Sequence, residues 1–268
     1  MITLLQQSEL ADAVQLSAAA GWNQTELDWG MLLALAPDGC FGIHEDGKLI
    51  ATASLLSYGR RLGWVGMVLT HLEYQRRGFA RALLERVLQT ADAAGIETLK
   101  LDATEQGQPL YQRLGFRTEQ PVERWWRPGA LPATEQNNGG GITDCALALD
   151  VKAFGANRSA LLGALASRSH VSPSECGFAF LRPGLRSDHV GPCVARDAGD
   201  ARGLVSTCIA GASEGGCLWD LLPRNSAATD LARDLGFVRQ RELVRMVRGA
   251  PCSGCDAWIW AAAGFELG

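Results

Sequence analysis

The segment LDATEQGQPLYQRLGF, ending at Phe116, and the segment WDLLPRNSAATDLARDLGF, ending at Phe237, share one plan. Each has an aspartate after an apolar residue, a polar loop, and a helix-like run closed by Leu-Gly-Phe. A similar strand-like run follows each: VERWWRPG after the first, LVRMVRGA after the second. A repeat of this length restricts the chain to architectures that build one unit twice. A common shift further upstream lays GMVLTHLEYQRRGFARAL over GPCVARDAGDARGLVSTC and places Gly203 under Gly78.

Between the copies, RPGALPATEQNNGGG (residues 127–141) interrupts every periodic pattern with proline, polar residues and three consecutive glycines. The expected division is a first unit over 1–130, a linker over 131–141 and a second unit over 142–268. A chain of 268 residues is long enough for each unit to bury its own core. A net charge of −4 and a pI near 5.6 argue against nucleic acid as a partner. No apolar run approaches the roughly 20 residues of a membrane helix. The start, MITLLQQSELADA, lacks the basic region and cleavage site of a signal peptide. The chain therefore reads as cytoplasmic, without a membrane partner. Eight cysteines show no framework spacing, and most of them read as small buried hydrophobes. Cys252 and Cys255 form a lone CxxC with no second pair close by, and His44, His71, His170 and His189 show no ligand spacing, so no metal is expected.

In the first half the patterns predict a strand at Thr3 to Gln6, a helix from Ser8, as its cap, to Ala20, and a helix from Thr25 to Ala36. A hairpin, Cys40 to His44 with Leu49 to Ser57, turns at EDGK. A strand from Gly63 to Thr70 enters a loop, and Ala80, Leu83, Leu84, Val87, Leu88 and Ala91 then follow at helical spacing up to Gly95. A strand (Glu97 to Asp102), a helix (Pro109 to Leu114) and strands either side of Pro121 complete a mixed sheet flanked by helices, an α/β class.

The loop carries the chemistry. Gln75, Arg76, Arg77, Gly78, Phe79 and Ala80 stand at the mouth of the helix, where the dipole disfavours cations. Backbone N–H groups converging there suit a phosphate or pyrophosphate. Glycine at 78 permits close approach, Ala80 keeps the first turn uncrowded, and Arg76, Arg77 and Arg81 can screen the charge.

This Q-x-x-G-x-A loop, followed about 30 residues on by Tyr111-x-x-x-Gly115-Phe116, resembles the signature of the GCN5-related N-acetyltransferase (GNAT) superfamily. The resemblance covers nearly all of residues 1–130 and, more weakly, 142–250. It implies two tandem acyl-CoA N-acyltransferase-like domains, each a mixed, mostly antiparallel sheet flanked by helices. It also implies acetyl-CoA as cosubstrate, its pyrophosphate on the amides of Arg76 to Arg81 and its pantetheine arm beside Val68, Leu69 and Thr70. In the family's tyrosine position, Tyr111 would protonate the leaving thiolate. A strand N–H of Val68 to Thr70 would polarise the acetyl carbonyl. Asp102 would act as base through a water, or else cap its loop. Trp22, Trp29, Trp125 and Trp126 belong to segments that flank the acceptor cleft and can hold a cationic amine or serve as core. Only one of Trp125 and Trp126 can face the cleft. Leu72 replaces a usual proline, and Thr104 replaces a usual asparagine.

The second copy keeps Asn225 at the asparagine position but has Ala232 in place of the tyrosine. Its loop reads Asp200, Ala201, Arg202, Gly203, Leu204, Val205, an acid facing any phosphate. It is expected to be degenerate, to dock extensively on the first and to support it. The function implied is acetyl transfer to an amine, on a small molecule; the alternatives are a non-catalytic acyl-CoA sensor and a protein N-terminal or lysine acetyltransferase. The sequence leaves the oligomeric state open.

Overall fold

The structure, a computed structural model, describes residues 1–129 and 141–268. The expected linker, Gly141 apart, lies outside the described residues. The first half runs β1 (Ile2–Leu4), α1 (Leu10–Ala19), α2 (Glu26–Leu35), β2 (Cys40–Glu45), β3 (Lys48–Tyr58), β4 (Leu62–Thr70), α3 (Phe79–Ala93), β5 (Thr98–Ala103), α4 (Gln108–Arg113) and β6 (Arg117–Arg127). The second runs α5 (Asp144–Phe154), α6 (Ser159–Ala166), β7 (His170–Pro173), β8 (Phe178–Arg182), β9 (Asp188–Val194), α7 (Ala198–Ala210), β10 (Cys217–Leu221), α8 (Ser226–Asp234), β11 (Val238–Gly249) and β12 (Ile259–Ala261).

Local rules account for much of this. The Thr25 hydroxyl accepts from the Asp28 N–H while the Asp28 carboxylate accepts from the Thr25 N–H, which starts α2. Helix α3 buries Leu83, Leu84, Val87 and Ala91, the expected stripe. Gln6 and Glu9 make the first entry cap in place of Ser8, and a 3-10 turn delays α1 to Leu10. Pro121 does not divide two strands; β6 runs through it. The β10 pairing reaches only Glu123, so at Pro121 the strand is paired to β11 alone, and the missing N–H can face the open side.

All twelve strands among the described residues join one sheet, ordered β1-β2-β3-β4-β5-β11-β6-β10-β9-β8-β7, with β12 added on β9. The last strand of each repeat has crossed into the other half. β6 lies between β11 and β10, and β11 pairs with β5 from Thr98 to Ala103. Where β6 and β11 meet, Val122 faces its own repeat equivalent, Leu243, so a local two-fold relation passes through that pair.

The crossing is locked by a pair of ion pairs that mirror each other. Arg124 of the first half grips Asp220 of the second, Nε to Oδ1 at 2.7 Å and Nη2 to Oδ2 at 2.6 Å. Arg245 of the second half grips Asp102 of the first, at 2.9 and 3.0 Å. Both are planar two-point contacts between buried groups. Helices α3 and α4 cover a core on one side of the first half, and α7 and α8 cover a matching one on the second. The third core belongs to both halves, since Leu16, Trp29 and Leu32 share it with Leu149, Phe154, Phe178 and Leu267.

Asp220 also accepts from His189 Nε2 at 3.1 Å. Burial raises its pKa, but Arg124 and His189 more than offset this and hold it below the usual carboxylate range. Removing one member of a buried pair strands the other, so Asp220→Ala should cost about 3–5 kcal/mol in urea unfolding. Because the folded value is depressed, the contribution of Asp220 is full above ~pH 4, the unfolded carboxylate value. It is lost as the pH falls through the depressed folded value. Denaturation midpoints taken across acid pH, wild type against variant, check both the size and the sign.

Two cysteines form a pair that the sequence reading did not anticipate. Cys145 on α5 and Cys176 before β8 form a disulfide, which a separation of 31 residues gave no reason to expect. Disulfides are uncommon in reducing compartments, so this one does not follow from a cytoplasmic reading. Cys40, Cys193, Cys208, Cys217 and Cys252 are buried thiols, and Cys255 is a partly exposed one. Among the described residues, no helix is long and apolar enough to cross a membrane.

Candidate active site

Strands β4 and β5 are parallel neighbours only at Gly63 with Leu99 and Trp64 with Lys100. Beyond that they part. Met67 takes a left-handed φ of 49°, the β3 register shifts opposite it, and Thr52 Oγ1 donates to the Met67 carbonyl at 2.8 Å. This bulge re-aims the end of β4. The gap between the strands is a groove of ≈ 530 Å³ lined by Val68, Thr70, Gln75, Arg76, Gly78, Phe79, Ala80 and Arg81 on one side and by Thr104, Leu110 and Tyr111 on the other.

Two of the expected groove residues point elsewhere. The Leu69 side chain is buried in the shared core on the opposite face, as alternation along a strand requires. Arg77 turns to Glu45 at 2.8 Å and lies over the rings of Tyr74 and Phe79. Arg81 pairs with Glu85 one turn on, and Arg76 has no acid partner among the described residues. The Gln75 side-chain amide donates to the Thr70 carbonyl at 3.3 Å, which ties the loop to the strand end.

Gly78 caps α3 in the left-handed region, with φ 89° and no side-chain cap. A Cβ there would meet nothing within 4 Å, so the first-turn N–H groups look into open space. The matching position of the second half is different. α7 is capped by Asp197, whose carboxylate accepts from the N–H groups of Gly199 and Asp200. Gly203 does not underlie Gly78, because it lies inside α7. The register inferred from sequence is therefore corrected: the acid at the loop position is Asp197, and it occupies the helix end itself.

The other half of the second cleft is occupied too. β12 pairs antiparallel with the end of β9, at Cys193 and Val194, while the Ala262 N–H donates to the Asp220 carbonyl on β10. The Asn225 side-chain amide donates to the carbonyls of Ala257 and Ile259, which holds this segment down. Residues 259–262 thus fill the gap that stays open between β4 and β5.

Tyr111 lines the groove, its ring buried and edge-on to Phe116 at 6.0 Å. Burial pushes its phenol well above the ordinary value, so it stays protonated. Asp102, the expected base, lines the cavity beyond this groove, and its fully buried carboxylate accepts from Arg245 Nε and Nη2. Burial raises its pKa, and the Arg245 charge opposes that rise. Trp29 is a core residue, fully buried with its indole N–H on Ser17 Oγ. Trp125 packs in the second-half core and donates to Glu123, and Trp126 packs on Gly216. Of the four tryptophans, only Trp22 reaches the site.

What Trp22 reaches is a second cavity of ≈ 100 Å³ that meets the groove at Val68, Thr104 and Tyr111. Its other walls include Gln24, Met67 and Arg124 and, from the second half, Arg241, Leu243, Phe265 and Glu266. Glu266 is brought in by close packing. Its backbone lies on Gly66, where a Cβ would stand 2.7 Å from the Glu266 carbonyl oxygen, and Trp64 Nε1 donates to the Phe265 carbonyl. The sequence reading missed Glu266, Phe265, Arg241 and Gln24. Phe265 and Glu266 lie beyond the end of the repeat and carried no signal, whereas Asp102/Asp220 and Arg124/Arg245 could have been found as charges kept at strand positions in both copies.

An Acetyltransferase (GNAT) family model matches residues 8–116, and an Acetyltransferase (GNAT) domain model matches residues 146–256. The uncharacterized N-acetyltransferase YitH of Bacillus subtilis is 26% identical over 265 residues, 89% of this chain and 88% of that one. A candidate acetyltransferase structure from Pyrococcus horikoshii superposes with a TM-score of 0.87 at 22% identity, covering 100% of this chain and 95% of the other. A GCN5-related N-acetyltransferase from Kribbella flavida gives 0.54 at 16% identity, covering 93% and 70%. The chain belongs to the GCN5-related N-acetyltransferase superfamily, as a tandem of two such domains merged in one sheet.

Proposed function

We propose that this chain transfers the acetyl group of acetyl-CoA to an amine on a small molecule, at a single site in the first half. The observation that carries this reading is the meeting of a long groove and a small side cavity at Val68, Thr104 and Tyr111. A pyrophosphate would take the open N–H groups at Gly78 to Arg81, with Arg76 beside it. The pantetheine arm would lie along the unpaired edge of β4, which brings the thioester to the bulge. There a backbone N–H of Val68 to Thr70 would receive the carbonyl oxygen as charge builds on it.

The amine nitrogen forms its bond to the carbonyl carbon, the carbon–sulfur bond breaks, and Tyr111 passes its proton to the sulfur. Glu266, one of the cavity's wall residues, is the group suited to take the proton from the amine. The cavity's small size and aromatic walls favour a small acceptor over a polypeptide chain.

Thiol release from acetyl-CoA across a panel of amines tests the activity. Binding without release under every acceptor would favour the sensor reading. The donor site is tested by Gly78→Asp beside Gly78→Asn, since both residues tolerate a left-handed backbone and they differ in charge. Calorimetry is expected to show acetyl-CoA binding lost in the aspartate variant and weakened less in the asparagine one. Equal affinities would remove the pyrophosphate from this loop. The second half carries an equivalent of this change already, in Asp197.

A further inference from the structure

We infer that the amine acceptor also carries a carboxylate, as an amino acid does, and that Arg241 receives it. This rests on the acetyl-transfer reading above, and it concerns the charges left over in the acceptor cavity. Of the charged groups on its walls, Asp102 is satisfied by Arg245 and Arg124 by Asp220. Glu266 faces Arg182 at 3.5 Å, and Arg182 also reaches Asp28, which Arg168 pairs as well. Arg241 is the exception, a wall residue without an ion pair among the described residues.

Its position makes the surplus matter. The guanidiniums of Arg124 and Arg241 both lie over the ring of Phe265, at 4.2 and 5.2 Å from its centre. Partial burial and then the Arg124 charge push Arg241 below its ordinary value, against weaker opposing pulls from Asp220 and Glu266. A bound anion would reverse that direction. Arg241 comes from β11, lines the cavity and is at the same time exposed to solvent.

A second, independent group points to the other end of such a ligand. Gln24 is 8% exposed, lines the same cavity, and its Oε1 is buried without a hydrogen-bond partner. An orphaned carbonyl oxygen calls for a donor. Together with the Glu266 carboxylate it forms an acceptor pair for an ammonium group, while Arg241 offers only donors. A neutral amine or a diamine would leave the Arg241 charge unmet; a zwitterion satisfies all three groups.

The test uses the full chain and acetyl-CoA, following thiol release with each proteinogenic amino acid beside its carboxamide and its decarboxylated amine. At least one amino acid is expected to exceed its two partners in kcat/KM by about 10- to 100-fold, the range of a charge-assisted contact. Arg241→Ala should raise KM for the acid by a similar factor and by more than it raises KM for the carboxamide, so that the preference for the acid collapses. Arg241→Lys should recover part of the preference. Amides or simple amines equal to or better than the acids would overturn the carboxylate while leaving acetyl transfer intact, as would an unchanged preference in Arg241→Ala. No release with any member of the panel would also overturn the proposal, and calorimetry of acetyl-CoA binding would then show whether the donor reading fails with it.

Discussion

Residues 1–129 produced without the rest of the chain are expected to be insoluble or to self-associate, with no acetyltransferase activity. The reason lies in the sheet. β6 pairs only with β11 and β10, so in the fragment it would be unpaired on both sides, and β5 would be open where β11 had been. It would also uncover its part of the shared core, where Leu16, Trp29, Leu32, Tyr58 and Trp64 are buried. Exposing each large apolar side chain costs about 1.5–3 kcal/mol, and a few such residues match the whole stability of an ordinary domain. Size-exclusion chromatography and thermal melting check this, and co-production of 1–129 with 141–268 is expected to restore a soluble complex. A monomeric fragment that melts cooperatively and turns over would show that the strand exchange is dispensable.

Tyr111→Phe is expected to lower turnover by about 100- to 10,000-fold, the usual contribution of a general acid. The change is small for the fold. Phenylalanine keeps the ring and its edge contact with Phe116, and no described residue hydrogen-bonds the hydroxyl. Acetyl-CoA affinity should therefore be retained. The wild-type rate should also show no fall from phenol ionisation through ~pH 10, the ordinary tyrosine value, because burial raises the folded one. An unaltered rate in the variant would leave Tyr111 as a packing residue.

How much of this could be read from the chain depends on whether the information was local. The α3 stripe, the Thr25 cap and the Gly78 loop are each written within a few residues, and the structure follows them. The strand exchange is not local. β6 and β11 carry the same Arg at the same register, and β5 and β10 the same Asp, so either pairing satisfies the local pattern. Only the path of the chain distinguishes them. Asp102 looked like a free carboxylate because its partner, Arg245, stands 143 residues away. Glu266 belongs to no repeated segment, and its place beside Gly66 depends on packing between distant parts of the chain. The register of the second loop went astray by trusting a glycine. The helix there begins at Ala198, with Asp197 as its own anion.

The segment that closes the second cleft does not stop there. β12 ends at Ala261, and within five residues the chain delivers Phe265 and Glu266 to the wall of the first-half cavity. The two clefts are therefore mutually exclusive by construction. Withdrawing residues 259–262 from the second cleft would pull Phe265 and Glu266 away from the first-half cavity. One short segment thus fills the second cleft and supplies part of the wall of the first-half cavity.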